Sequence, residues 1–134
     1  MMTWLAVAVG SALGGMARYG LGILVARVVG TGFPWGTLLI NVLGSFAIGL
    51  YGTLTLPDGP MPASFAARAF VMVGLCGGFT TFSSFSLQTM LLLQAGDVLE
   101  AAGYILGSVA LCLAGTFLGY WLAIRLGVPQ GVAQ

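Results

Sequence analysis

The chain has 134 residues, of which 59% are hydrophobic and only 5% are charged, and its formal net charge is +1. A soluble domain carries about 25% charged residues, so this composition excludes a surface that faces water throughout. The mean hydropathy of +1.07 identifies an integral membrane protein, and the small net charge gives no reason to expect a nucleic-acid partner.

Four stretches are long and apolar enough to cross a bilayer, which requires about 20 residues each. They cover residues 3–28, 35–54, 64–94 and 98–126. Short segments rich in glycine or proline separate them, and Gly127, Val128 and Pro129 end the fourth. The first stretch has no basic region ahead of it, so we expect a retained helix rather than a cleaved signal. The pattern predicts one four-helix membrane domain over residues 1–134.

The third segment contains an interruption. The pair Gly77 and Gly78 precedes residues 79–86 (FTTFSSFS), where hydroxyl side chains alternate with phenylalanines. In lipid, a helix break is tolerated only where it is buried in protein or lines a polar cavity. Transport proteins place ion sites at such breaks. We therefore expect a break at the glycine pair and a functional site beside it.

Phenylalanines and hydroxyls follow this pair at helical spacing. Phe79, Phe82 and Phe85 recur every three residues, and Ser84 lies among them. A phenyl ring has a positive edge, which suits an anion without a formal charge. The backbone carbonyls freed by the break suit a cation. The segment is therefore suited to either ion, although an aromatic stripe at this spacing is normally only core.

Two polar residues lie alone within apolar helices. Arg18 in the first segment either anchors a helix end or attracts anions to a vestibule. Asn41 in the second segment either joins helices through its amide or offers a neutral donor that binds an anion without trapping it. The sequence leaves both choices open.

The fourth segment carries a polar stripe. Tyr104, Ser108, Cys112 and Thr116 are spaced four apart and so share one helix face. A single serine or threonine often bonds back to its own helix. Three hydroxyls in register favour the lining of a pathway.

Small residues four apart form flat strips that allow helices to approach closely. The pairs are Gly10 and Gly14, Ser11 and Gly15, Gly103 and Gly107, and Gly115 and Gly119. The spacing does not decide between packing within a subunit and packing between subunits.

Positive charge is almost balanced between the two sides of the predicted bundle. Arg68 and Arg125 lie on one side, together with the amino terminus, and Arg27 lies on the other, so the bias among the arginines is about one charge. Such a chain is able to insert in either direction. We therefore expect an antiparallel homodimer.

The chain has no histidine, and its carboxylates, Asp58, Asp97 and Glu100, lie in loops or at a helix end. Proton-coupled transport generally needs an ionisable group inside the membrane, and enzymatic catalysis needs a set of such groups. This excludes most enzymes and weakens one rival, a small dual-topology multidrug exporter. A second rival is a non-conducting structural protein, which has no need of a helix break. A passive pathway lined by neutral donors fits best.

Three motifs resemble the Fluc (CrcB) family of fluoride channels. They are residues 14–19 (GGMARY), 35–41 (WGTLLIN) and 74–86 (GLCGGFTTFSSFS). The resemblance implies an all-α, dual-topology antiparallel homodimer in the inner (plasma) membrane. Its two pores would export fluoride passively and keep the cytoplasmic level low. It also implies no enzymatic activity.

The resemblance also implies roles for individual residues. Phe82 and Phe85 would flank fluoride with their ring edges, and Arg18 matches the family's first-helix arginine. The carbonyls of Gly77 and Thr80 would bind a structural sodium ion at the dimer interface. The remaining pore residues would be Asn41, Ser84, Tyr104, Ser108 and Thr116. Cys112 stands where the family often has a hydroxyl.

Overall fold

Residues 2–127 are described in the computed structural model, and every regular element among them is a helix. Helix α1 spans Met2–Val29 and α2 spans Trp35–Leu54. The third segment is divided into α3, residues 65–79, and α4, Phe82–Ala95; α5 spans Val98–Arg125. These ends lie within one residue of the predicted ones. The predicted stop at Val128 and Pro129 lies outside the described residues.

Within residues 2–127, four helices are long and apolar enough to cross a membrane, counting α3 and α4 as one. Their outer faces carry large apolar side chains. Trp4, Leu99 and Phe117 are 82%, 87% and 70% exposed. A water-soluble monomer rarely shows contiguous apolar surface on this scale. The surface therefore fits contact with lipid or with another apolar helix.

Helix α3 changes its winding along its length. It begins as an α-helix at Phe65–Arg68, widens into a π-helix at Ala69–Cys76 and returns to an α-helix at Gly77–Phe79. The Ser64 side chain caps the start by accepting from the Ala67 amide. The wide π-helical stretch brings the α3 backbone against α1, where Gly10 and Gly74 meet.

Two of the predicted glycine strips pack within the chain. A Cβ on Gly10 would stand 2.5 Å from the Phe70 carbonyl oxygen of α3, and one on Gly119 would collide with the Phe46 carbonyl oxygen of α2. By contrast, a Cβ on Gly103 or Gly107 would meet nothing within 4 Å. The Gly10–Gly14 strip on α1 and the Gly115–Gly119 strip on α5 thus pack against other helices of the same chain. The Gly103–Gly107 strip on α5 faces open space.

A small core joins α4 and α5 near their connecting turn. It comprises Leu92, Ala101 and Tyr104, and Tyr104 is only 1% exposed. Gly96 makes the tight turn possible because its φ of +88° is a conformation that other residues rarely adopt. The turn places Asp97 immediately before α5.

Candidate functional site

The break in the third segment lies after the glycine pair. Gly77 and Gly78 are helical, so the prediction that they form the break is wrong. The backbone becomes extended at Thr80, with φ −80° and ψ 159°, and at Thr81, with φ −154° and ψ 117°. Gly78 serves close packing instead, since a Cβ there would stand 2.5 Å from the Ser11 carbonyl oxygen.

Asn41 stabilises the break through two hydrogen bonds to the backbone of Thr81. Its Oδ1 accepts a hydrogen bond from the Thr81 amide at 2.8 Å, and its Nδ2 donates to the Thr81 carbonyl oxygen at 3.0 Å. An amide side chain is suited to this because it carries a donor and an acceptor side by side. Both backbone polar groups of Thr81 are thereby satisfied without a helical partner, as membrane burial requires. Among residues 2–127, Asn41 Nδ2 uses one of its two hydrogens in this contact.

Thr81 also starts the second half of the segment. Its Oγ1 accepts from the Ser84 amide at 3.2 Å, the usual arrangement of an N-cap. The same oxygen lies 3.2 Å from Ser83 Oγ and 3.1 Å from Ser84 Oγ. Three hydroxyls therefore meet at the N-terminus of α4.

At the break, two backbone carbonyl oxygens lose the amide donors that they would have in a continuous helix. In a continuous helix the Thr81 amide would donate to Gly77, and the Ser84 amide would donate to Thr80. Here those amides donate to Asn41 Oδ1 and Thr81 Oγ1. The carbonyl oxygens of Gly77 and Thr80, the two predicted sodium ligands, are thereby released from their helical bonds.

A cavity of about 460 Å³ opens at the break between α2, α3, α4 and α5. We call it the break cavity. Within the described part of the chain, none of the residues lining it is charged. It gathers most of the predicted site residues: Asn41, Gly77, Thr80, Phe82, Phe85 and Ser108, together with Cys112.

Three predicted pore residues lie outside this lining. Tyr104 and Thr116 are next to the cavity on α5 but do not line it, and Ser84 faces a different cavity. The predicted stripe on α5 is thus divided, with Ser108 and Cys112 on the cavity wall. Cys112 therefore places a thiol, which is a weaker donor than a hydroxyl, on the cavity wall.

The two phenylalanines of α4 differ in their surroundings. Their ring centroids are 5.3 Å apart, and the ring planes meet at 44°. Phe85 packs inward, 5.1 Å from the ring of Tyr104. Phe82 is 78% exposed, and among residues 2–127 its aromatic contact is with Phe85 alone. Its ring is therefore available to a ligand or to another subunit.

The three hydroxyls of the α5 stripe differ in their hydrogen-bond partners. Tyr104 donates to Gln88 Oε1 at 2.9 Å, which ties α5 to α4. The Thr116 hydroxyl is shared between the carbonyl oxygens of Ser45, at 3.2 Å, and Cys112, at 3.1 Å. Ser108 Oγ is buried and has no hydrogen-bond partner among residues 2–127. Ser108 is therefore the stripe hydroxyl with unused bonding capacity.

A second cavity of about 920 Å³ lies on the other side of the break, toward the loop between α1 and α2. We call it the outer cavity. Arg18 lines it, as do Thr81, Ser83, Ser84 and Gln88. Arg18 makes no hydrogen bond or ion pair with any other described residue, and its role at this cavity stays a prediction. Thr81, at the start of α4, lines both cavities.

Sequence reasoning did not assign a role to Thr81 or Gln88. Thr81 holds the break through its backbone and caps α4 through its side chain. Gln88 pairs with Tyr104. The signal for Gln88 was its position, since an amide inside an apolar segment needs a partner. Thr81 carried no signal that distinguishes it from Thr80.

The sequence of this chain matches a family of known proteins. A family model described as "CrcB-like protein, Camphor Resistance (CrcB)" matches residues 5–120. The chain belongs to the CrcB family. The matched range of this family reaches from α1 into the last turns of α5 and includes both halves of the broken helix.

Individual relatives are similar over nearly the whole chain. A protein of Opitutus terrae named "Fluoride-specific ion channel FluC" is 50% identical over 131 residues, 98% of this chain and 99% of its own length. Proteins with the same name from Paramagnetospirillum magneticum and Thermus thermophilus are 55% and 53% identical. These two matches cover 90% and 91% of this chain and 94% and 95% of the relatives. As a CrcB protein with four apolar spans, the chain is a multi-pass membrane protein.

Proposed function

We propose that this protein is a fluoride-selective passive channel rather than an enzyme. The observation that carries the proposal is the Ser108 hydroxyl, which has no partner in the described part of the chain and lies on an uncharged cavity wall that also bears Phe82 and Phe85. An unpaired buried hydroxyl costs about 1–3 kcal/mol, so its retention favours a bound acceptor. The names of the relatives, fluoride-specific ion channels, support fluoride as that acceptor.

Fluoride is small and strongly hydrated, so several donors must replace its water at once. Release requires that none of them bind too tightly. The Ser108 hydroxyl, the remaining Nδ2 hydrogen of Asn41 and the positive ring edges are graded neutral substitutes. A fully charged side chain in the narrow part of the pathway would bind fluoride too tightly for its release. Arg18 fits this division because it lines the outer cavity and not the break cavity.

The proposal extends to the assembly. One subunit leaves Phe82 and the Gly103–Gly107 strip uncovered, and the arginines give almost no bias in orientation. An antiparallel homodimer with two pores would cover these surfaces and would need a chain that inserts both ways. The proposed site is the cytoplasmic (inner) membrane, from which fluoride is exported down its electrochemical gradient.

A structural sodium ion belongs to the same proposal. Sodium is a hard cation that binds oxygen, and unwound backbone carbonyls are its usual ligands in membrane proteins. The released carbonyls of Gly77 and Thr80 fit this preference. A sodium ion held there would fix the position of the break and hence of the cavity wall.

The decisive experiment is efflux from liposomes containing the purified protein, followed with a fluoride electrode and compared with chloride efflux. We expect rapid fluoride efflux that needs no pH gradient and little chloride efflux. Equal passage of both halides, or of neither, would refute the proposal. Labelling of a cysteine introduced into one loop should succeed from both faces of the membrane if the chain inserts in both directions.

A further inference from the structure

The outer cavity is lined by two opposite charges from distant parts of the chain. Arg18 comes from α1, and Asp97 comes from the turn between α4 and α5. They are the charged side chains among the described residues that line this cavity. They form no ion pair with each other, so each charge acts on the cavity through space.

The Asp97 carboxylate makes no hydrogen bond with any other residue among 2–127. Asp97 occupies the N-cap position of α5, but its side chain makes no capping hydrogen bond. The turn is held by backbone groups instead. The Asp97 amide donates to the Leu92 carbonyl oxygen at 3.0 Å, and the Ala101 amide donates to the Asp97 carbonyl oxygen at 2.9 Å.

We propose that Asp97 sets the anion occupancy of the outer cavity by opposing Arg18. This inference rests on the proposed function. In a cleft with walls of low dielectric constant, a lining charge changes the local concentration of a diffusing ion. Arg18 raises the concentration of fluoride at the mouth of the pathway, and Asp97 lowers it. The pair thereby attracts the ion without retaining it, as rapid conduction requires.

The test is fluoride efflux from liposomes carrying Asp97→Asn. Asparagine keeps the size of the side chain and is an equally good N-cap, so the turn should be preserved. At an ionic strength of about 10 mM and at low fluoride, we expect efflux about twofold faster than wild type. The difference should vanish at about 1 M potassium gluconate, where charges are screened within a few ångströms. Arg18→Gln should slow efflux under the same low-salt conditions.

Glu100→Gln is the matched control. Glu100 is exposed in the first turn of α5, at the same end of the bundle, and does not line the cavity. We expect wild-type efflux from it. Unchanged efflux from Asp97→Asn, a change that salt does not alter, or an equal acceleration in Glu100→Gln would overturn the inference. These outcomes require a wild-type protein that conducts fluoride; a wild type that does not would overturn the proposed function itself.

Discussion

The side chain of Asn41 satisfies both backbone polar groups of Thr81, a residue 40 positions away in the chain. This contact joins α2 to the interruption between α3 and α4. It gives the extended Thr81 the hydrogen bonds that a helix would otherwise supply, in a place where Thr81 is only 8% exposed. The break is therefore a defined structure that α2 stabilises.

Asn41→Leu should destabilise the protein. The substitution keeps the branching and the number of side-chain heavy atoms but removes the hydrogen bonds of Asn41 to the amide and the carbonyl of Thr81, at a cost of about 1–3 kcal/mol for each group left unpaired. We expect a lower thermal unfolding midpoint in detergent and slower fluoride efflux. Gln94→Leu removes an exposed amide near the end of α4 and is the control. An Asn41→Leu protein as stable as wild type would show that the contact is dispensable.

Replacement of the two phenylalanines should separate function from stability. Phe82→Ile removes a ring that is 78% exposed in the subunit, so we expect loss of fluoride efflux with little loss of subunit stability. Phe85→Ile also removes the ring contact with Tyr104. An aromatic pair of this kind contributes about 0.5–1.5 kcal/mol to stability, so we expect Phe85→Ile to lose both efflux and stability. Phe65→Ile, equally exposed but far from the cavity, should conduct normally. Normal efflux from both Phe82→Ile and Phe85→Ile would contradict the pore assignment.

The hydrogen bond between Tyr104 and Gln88 should appear as an energetic coupling. Tyr104→Phe leaves Gln88 Oε1 without its donor, and Gln88→Leu leaves the buried phenol without its acceptor. Each change should lower the unfolding midpoint, and the double variant should lose less than the sum. We expect a coupling of about 1 kcal/mol in a double-mutant cycle. Strict additivity would mean that the two groups do not interact in the membrane.

The sequence predicted the helix ends to within one residue because apolar length and breaker residues determine them locally. It also predicted an interruption in the third segment, but it placed that interruption at Gly77 and Gly78. Local propensity favours glycine as the breaker. The actual position depends on Asn41, which lies in another helix and captures the Thr81 amide.

The site was predicted in the same partial way. Polar residues in apolar segments pointed to Ser108 and Asn41, and both line the break cavity; their roles in a pore stay predictions. Helical spacing gave Tyr104 and Thr116 the same face as Ser108, but the spacing carries no information about partners. Gln88 takes the hydroxyl of Tyr104, and Ser45 and Cys112 take that of Thr116. The pore roles that the resemblance implied for these residues stay predictions.

Alanine at Gly78 should be far more harmful than alanine at Gly103. A Cβ on Gly78 would stand 2.5 Å from the carbonyl oxygen and 2.9 Å from the Cα of Ser11, both backbone atoms that cannot move aside cheaply. We expect Gly78→Ala to separate α1 from α3 and to lower the unfolding midpoint by several degrees. Gly103 faces open space, so Gly103→Ala should leave the subunit intact. If the protein elutes as a dimer in size-exclusion chromatography and Gly103→Ala converts it to a monomer, the Gly103–Gly107 strip packs against the second subunit.

Removal of sodium should destabilise the protein if the carbonyls of Gly77 and Thr80 bind it. A ligand that binds only the folded state adds about 2.7 kcal/mol of stability at a concentration 100 times its Kd. We expect sodium gluconate to raise the unfolding midpoint more than potassium or N-methyl-D-glucamine gluconate at equal concentration. Asn41→Leu removes the contacts that fix the backbone at the break, so the carbonyls of Gly77 and Thr80 are held less firmly and the advantage of sodium should shrink. Equal stabilisation of the wild type by all three cations would exclude a specific sodium site at the break.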